Sequence, residues 1–154
     1  MKNIVLMLCC AAIISAETQA QDSAKQTIKD KIDAKNYVFE PTTMTPSRGR
    51  VKHLDLGYFF KLSGDTLKVY LPYAGRAYMA PINPSDAGFD FTSTNFTYDV
   101  KEGKKNSYDI SVKTKGKTYN TDFALTVYDN GTAYLRAIPT DRESISYNGD
   151  IKEK

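Results

Sequence analysis

Apolar and polar residues alternate along most of the chain after residue 36, and this period of two is typical of β-strands with one buried face. The apolar positions of the successive segments are Tyr37 and Phe39; Tyr58, Phe60 and Leu62; Leu67, Val69 and Leu71; Phe96, Tyr98 and Val100; Tyr108, Ile110 and Val112; Phe123, Leu125 and Val127; Ala133, Leu135 and Ala137; Ile145 and Tyr147. Short turn-forming stretches separate most of these segments, so we expect neighbouring strands to pair as hairpins. The pattern predicts a mainly β protein with one continuous apolar face.

Turn chemistry predicts the register of two hairpins. A two-residue loop of Gly64-Asp65 sets Leu62 opposite Leu67, and glycine in the first loop position suits a type II′ turn. A two-residue turn at Asn130-Gly131 would leave Leu135 on the polar face. We therefore predict a three-residue loop in which Gly131 adopts a left-handed conformation.

Two further hairpins have turns that constrain the register less. Keeping the apolar faces together allows Val100 to pair with Tyr108. A two-residue turn at Lys115-Gly116 then sets Val112 opposite Tyr119.

Together the hairpins predict an antiparallel meander of about eight strands, which is long enough to curl into a barrel-like or half-barrel sheet. A β-sandwich is the alternative architecture. Before the first strand, Ala24, Ile28 and Ile32 recur every four residues and predict one helix over residues 24–34. We expect this helix to cover one end or edge of the sheet.

The N-terminal residues have the pattern of an export signal. Lys2 precedes an apolar run over residues 4–14, and Thr18-Gln19-Ala20 offers small residues at a cleavage site. The sequence thus predicts a signal peptide of residues 1–20 and a single domain of residues 21–154. With no second apolar run, we expect no transmembrane segment in the mature chain and a location in the periplasm or at the outer membrane.

Composition argues against several functional classes. The net charge of +3 is spread along the chain rather than concentrated, so we expect no nucleic-acid partner. Cys9 and Cys10 lie inside the predicted signal, which leaves no thiol chemistry in the mature chain. A lone His53 supports neither a metal site nor a catalytic triad. No pair of carboxylates stands out. We therefore expect no enzyme activity, no catalytic residues, no metal and no cofactor.

The segment Leu71–Tyr78, LPYAGRAY, is the most distinctive part of the sequence. Pro72 cannot donate to a strand ladder, and Arg76 lies between the aromatic residues Tyr73 and Tyr78. One interpretation is that Arg76 clamps the loop structurally, by binding carbonyls or an acid. The other is that Tyr73, Arg76 and Tyr78 line a pocket for an anionic or sugar-like ligand.

Arg142 poses the same question, because it lies between Asp141 and Glu143 after a proline. A local salt bridge is one prediction, and a fourth position in the ligand site is the other. Outside the apolar face, the registers above put Tyr70, Tyr128 and Tyr134 on the outer surface. Exposed tyrosines suit contacts with sugars or proteins.

Several of these motifs together resemble one family. They are Asn36-Tyr37-Val38-Phe39, Leu71-Pro72-Tyr73 with Gly75-Arg76-Ala77-Tyr78, Asn130-Gly131-Thr132-Ala133, and Arg142 with Ile145-Ser146-Tyr147-Asn148-Gly149. The pattern is similar to that of DUF4251, a family of secreted bacterial proteins typical of Bacteroidota, from about residue 28 to residue 151. The resemblance implies an exported protein and names no activity. Members are sometimes lipoproteins, but this chain lacks a proper lipobox.

The functional expectation is a non-catalytic binding or structural module of the cell envelope, with an envelope protein or a small ligand as partner. One alternative is a small-ligand protein that binds an apolar or sugar-like molecule at the LPYAGRAY loop. A second alternative is a hydrolase of envelope glycans, which would need two acids facing each other across a cleft.

Overall fold

The computed structural model describes residues 27–76, 88–115 and 120–152. The predicted signal peptide, Tyr78 and Tyr119 lie outside the described residues. Within them, helix α1 spans residues 27–33. The strands are β1 Asn36–Pro46, β2 Lys52–His53, β3 Phe59–Ser63, β4 Thr66–Leu71, β5 Phe89–Ser93, β6 Phe96–Glu102, β7 Ser107–Thr114, β8 Thr121–Tyr128, β9 Thr132–Pro139 and β10 Ile145–Lys152.

The described strands form one antiparallel sheet with the order β5-β4-β3-β1-β10-β9-β8-β7-β6, and β2 pairs with β1. The sheet curls into a barrel that is nearly closed and has one seam. The prediction of a mainly β, barrel-like fold is therefore confirmed, and the sandwich alternative is not what forms.

The strand order departs from a simple meander at β1. This strand lies between β3 and β10, and its Phe39 pairs with Phe60 on one side and with Ile151 on the other. The sheet therefore consists of two meanders, β3 to β5 and β6 to β10, joined through β1. Alternation and turn chemistry indicate pairing between consecutive segments only. The pairing of the first strand with the last has no local signal.

The seam lies between β5 and β6, which are the two edges of the sheet order. Only Thr94 and Asn95 separate these strands along the chain, so the backbone passes directly from one edge to the other. Helix α1 packs nearby, because the Tyr98 hydroxyl of β6 donates to the Ile32 carbonyl at 3.1 Å. Ile28 and Ile32 are buried, as their spacing predicts.

Both glycine-defined hairpins have the predicted register. Leu62 pairs with Leu67, and Gly64 has a φ of 57°. Leu125 pairs with Leu135 across a loop in which Gly131 has a φ of 86°. Glycine therefore occurs where the backbone needs a left-handed residue, and the apolar faces meet.

The predictions for the two less constrained registers were wrong, each by an even number of residues. Val100 pairs with Ile110 rather than Tyr108, and Val112 pairs with Phe123 rather than Tyr119. A shift by an even number keeps every side chain on its own face, so the apolar pattern cannot detect it.

Aromatic side chains fill the interior around Phe123 of β8. The centroid of its ring lies 5.1 Å from that of Phe60, 5.9 Å from that of Phe89 and 6.3 Å from that of Phe91. These partners come from β3 and β5, in the other half of the sheet. The two halves therefore pack directly against each other through these rings.

Candidate functional site

The first candidate site is the loop after β4, which is tied to the connection between β9 and β10. The buried Tyr147 of β10 donates its hydroxyl to the Pro72 carbonyl at 2.6 Å. The Tyr73 hydroxyl donates to the Glu143 carbonyl at 3.0 Å. The Glu143 amide in turn donates to the Arg76 carbonyl at 3.1 Å. Residues 72–76 are thus held by hydrogen bonds to residues 143–147.

Arg142 covers this loop. Its guanidinium carbon lies 5.1 Å from the Tyr73 ring centroid and 5.8 Å from the Phe89 ring centroid, both within cation–π range. It also forms an ion pair of 2.9 Å with Asp141, which is the local salt bridge that the sequence predicts. Only 13% of its side chain is exposed. We call Tyr73, Phe89, Arg142 and Tyr147 the mouth cluster.

Gly75 has a geometric reason to be glycine. A Cβ at this position would lie 2.5 Å from the Tyr73 hydroxyl oxygen, so a side chain here would push that ring away from Glu143. The Gly-Arg pair of the motif is therefore explained in part by the packing of Tyr73. Arg76 itself is exposed, and its backbone carbonyl, not its side chain, makes the contact with Glu143.

Tyrosine hydroxyls are ordinarily protonated at neutral pH, and burial in the mouth cluster moves their pKa further from it. Burial raises the pKa of Tyr73 above the ordinary value, an effect that the charge of Arg142 opposes. Burial also raises the pKa of Tyr147 strongly. At neutral pH both tyrosines are therefore hydrogen-bond donors, as the loop contacts require.

The structure brings three of the four predicted ligand-site residues together. Tyr73 and Arg142 are in contact, and Arg76 joins them through its carbonyl. Tyr78 lies outside the described residues. The observed contacts of Tyr73 and Arg142 are with the chain itself. Ligand binding by these four residues stays a prediction.

The second candidate site is a groove on the outer face, which the sequence analysis did not identify. It has a volume of about 420 Å³. We call it the outer groove, and it is lined by Thr42, Tyr128, Thr132, Ala133, Tyr134, Asn148, Gly149 and Asp150. Tyr128 also lines a neighbouring depression of about 550 Å³ beside the turn of residues 103–105.

The register of three strands builds the outer groove. On the outward face, Tyr134 of β9 pairs with Asn148 of β10, and Thr132 pairs with Asp150. Tyr128 is at the end of β8, directly after the last paired residue of that hairpin. Tyr128 and Tyr134 are 39% and 38% exposed, so part of each ring is open to a ligand.

An irregularity in β1 forms the far wall of the groove. The register between β1 and β10 shifts between Pro41 and Thr43, which is the pattern of a β-bulge. Gly149 lies opposite, and a Cβ there would lie 2.7 Å from the Pro41 Cα atom. The glycine therefore allows the two backbones to approach, and Thr42 is exposed at the rim. The bulge in β1 and the glycine in β10 are far apart in the sequence, so the sequence pattern does not predict that they meet.

The three outer-face tyrosines do not form a single patch. Tyr70 of β4 stacks on Tyr58 with ring centroids 5.4 Å apart. Strands β3, β1 and β10 separate it from Tyr134 on β9. Any contact surface that includes the outer groove therefore excludes Tyr70.

Outward carboxylates on the strands have partners close by. Asp122 lies 3.5 Å from the Lys113 ammonium group, and Asp109 accepts a hydrogen bond of 2.8 Å from Thr126. Across residues 27–76, 88–115 and 120–152, no three histidine, cysteine or acidic side chains cluster as metal ligands would. No helix within these ranges is long and apolar enough to cross a membrane.

The fold defines the class of protein as a small, nearly closed antiparallel β-barrel in which aromatic rings from both halves pack against each other. The model of a domain of unknown function, DUF4251, matches residues 19–151, and the chain belongs to this family. It is similar in fold to the crystal structure of a DUF4251 family protein from Bacteroides eggerthii DSM 20697. That comparison has a TM-score of 0.64 at 12% identity and covers 85% of this chain and 88% of the other. No curated protein matches the sequence.

Proposed function

We propose that this protein is a non-catalytic binding module of the cell envelope that takes its ligand or partner on the outside of the barrel, at the outer groove. The observation that carries the proposal is the pair of half-exposed tyrosines, Tyr128 and Tyr134, beside that groove. Rings that are partly exposed next to polar side chains are common features of binding surfaces.

The packed aromatic rings of the interior support an external site. Phe60, Phe89 and Phe123 occupy the space that a barrel-type carrier would need for an internal ligand. The mouth cluster supports the same conclusion, since Tyr73 and Arg142 are engaged in contacts that hold the loop. We assign that cluster a structural role.

The absence of catalytic activity is part of the proposal. Outward acids such as Asp109 and Asp122 are engaged by threonine or lysine neighbours, which supports this part of the proposal. A glycoside hydrolase needs two acids on either side of its scissile bond. Hydrolysis of an envelope glycan by the purified protein would contradict this part of the proposal.

Export is also part of the proposal, and residues 1–20 support it by their pattern. Mass spectrometry of the protein from its own envelope should find Gln21 as the first residue. A protein that retains residues 1–20 in the cytoplasm would contradict export.

Binding itself can be tested with a detergent extract of the source envelope. We expect hydrogen exchange to slow in residues 126–134 and 146–150 when the extract is added. Tyr128→Ser should abolish this protection because Tyr128 lines the groove, whereas Tyr70→Ser should keep it because Tyr70 lies across the sheet. Protection that is confined to residues 72–76 would move the site to the LPYAGRAY loop and refute the proposal.

A further inference from the structure

We propose that the outer groove binds a neutral saccharide, with the rings of Tyr134 and Tyr128 against the sugar and the side chains of β10 at its hydroxyls. This inference rests on the proposed function, because it names the ligand class of the same groove. The supporting observations are the arrangement of the side chains, the charge of the lining and the size of the groove.

The arrangement combines apolar faces and hydrogen-bonding groups at short range. A sugar ring has C–H faces that pack on an aromatic ring and an equatorial rim of hydroxyls. Tyr134 provides a ring directly beside Asn148, since the two residues pair across β9 and β10. Thr132 and Asp150 pair in the same way two residues along the strands, and Tyr128 lines the same groove. Each tyrosine thus has a polar side chain on an adjoining strand.

Existing hydrogen bonds hold part of the lining in place. The Tyr134 hydroxyl donates to the Ser146 hydroxyl at 2.7 Å, which fixes the ring on the surface. Thr42 donates to the Asn148 carbonyl at 3.2 Å, which connects the bulge of β1 to the groove. A site on paired strands changes little when a ligand binds, so a short saccharide need not order a loop.

The charge of the lining favours a neutral ligand over an anion. Asp150 is the one charged residue among the eight that line the groove. Its carboxylate lies 3.6 Å from the Lys152 ammonium group, which is outside the lining. A phosphate or carboxylate would meet a negative group in the lining itself, whereas Lys152 lies outside the lining and is already paired with that group. An organic cation would find its carboxylate partner already paired. A volume of about 420 Å³ is in the range of small-molecule sites.

The test is an NMR titration of the folded domain with maltotriose and with the trimer of N-acetylglucosamine. We expect saturable shifts at the Asn148 side-chain amide and the Gly149 backbone amide. Tyr134→Ala should weaken binding at least tenfold because it removes the ring. Tyr134→Phe keeps the ring and should bind within about threefold of the native protein. Tyr70→Ala is the matched control, an exposed tyrosine outside the groove, and should bind as the native protein does.

The outcomes distinguish this inference from the proposed function. Shifts outside the groove, or equal weakening by Tyr134→Ala and Tyr70→Ala, would overturn the saccharide site. If both trisaccharides fail while the envelope extract protects the groove, the proposed function stands and the saccharide inference is wrong. Groove shifts with spermidine or glycerol phosphate, but with neither sugar, would also overturn it. If sugars and extract both fail, both proposals fall.

Discussion

Replacing Tyr147 with phenylalanine tests how much the mouth cluster contributes to stability. The substitution keeps the buried ring and removes one hydroxyl, which donates to the Pro72 carbonyl at 2.6 Å. Tyr147 is 0% exposed, so water has little access to replace the lost donor. Loss of a buried hydrogen bond that leaves its acceptor unpaired costs about 1 to 3 kcal/mol. We expect the free energy of unfolding to fall by about 2 kcal/mol.

Tyr134→Phe is the matched control on the neighbouring strand. It removes the same hydroxyl and a hydrogen bond of similar length, 2.7 Å to Ser146, but from a side chain on the outer face. Water can replace that bond, so we expect a loss below about 0.5 kcal/mol. Both losses are to be measured by urea denaturation at neutral pH. An unchanged slope of the free energy of unfolding against urea concentration would indicate that the unfolded state is unaltered.

A local measurement distinguishes loss of the contacts between residues 72–76 and 143–147 from a general loss of stability. The Glu143 amide donates to the Arg76 carbonyl at 3.1 Å, so its hydrogen exchange reports on the contact between the loop and residues 143–147. In Tyr147→Phe this amide should exchange faster under native conditions, and in Tyr134→Phe it should not. Equal losses of stability in the two variants would refute the argument from burial. An unchanged exchange rate of the Glu143 amide would refute the role of Tyr147 in holding the loop.

Three other predictions follow from the backbone and from burial. Gly149→Ala should destabilise the protein by about 3 kcal/mol in urea denaturation because its Cβ would strike the main chain at Glu40. Gly103→Ala would meet side-chain atoms of Ser107 and Asp109 rather than the main chain and should lose less, and equal losses would contradict the argument. Lys105→Gly should raise stability by about 0.5 to 1 kcal/mol, since Lys105 has a φ of 58°, and a fall in the melting temperature would refute it. Burial raises the pKa of Tyr98 to about 12 from an ordinary 10.0, so the folded state holds this proton more tightly than the unfolded state. The resulting stability is complete below pH 10 and should decline as the pH rises towards 12. In Tyr98→Phe the free energy of unfolding should decline less steeply with pH, and identical pH profiles of the two proteins would refute the prediction.

The sequence predicted those parts of the fold that depend on local rules. The hairpin of β8 and β9 was predicted because Gly131 and the position of Leu135 together exclude the shorter turn. The closure of the barrel was predictable only as a tendency, because most of β1 pairs with β10, about a hundred positions further along the chain. Strand β5 was missed since its two phenylalanines, Phe89 and Phe91, follow a stretch rich in glycine and proline.

The candidate sites divide in the same way. The Leu71–Tyr78 motif drew attention because its residue types are unusual, and the structure explains Tyr73 and Gly75 by their packing. The outer groove could not be predicted from the sequence because none of its residues is unusual alone. It arises where a bulge in β1 meets Gly149 in β10, and these two segments are adjacent only after the sheet has formed.

The position of β1 also determines when the molecule can fold. This strand is the first of the described strands, yet most of its length is bonded to β10, the last of them. The ribosome synthesises β1 long before β10. The edge of β1 that pairs with β10 therefore has no strand to bond while the intervening residues are made. The sheet therefore cannot be completed until β10 has emerged, and a nascent chain that stops before residue 145 would lack the strand that joins β1 to β9.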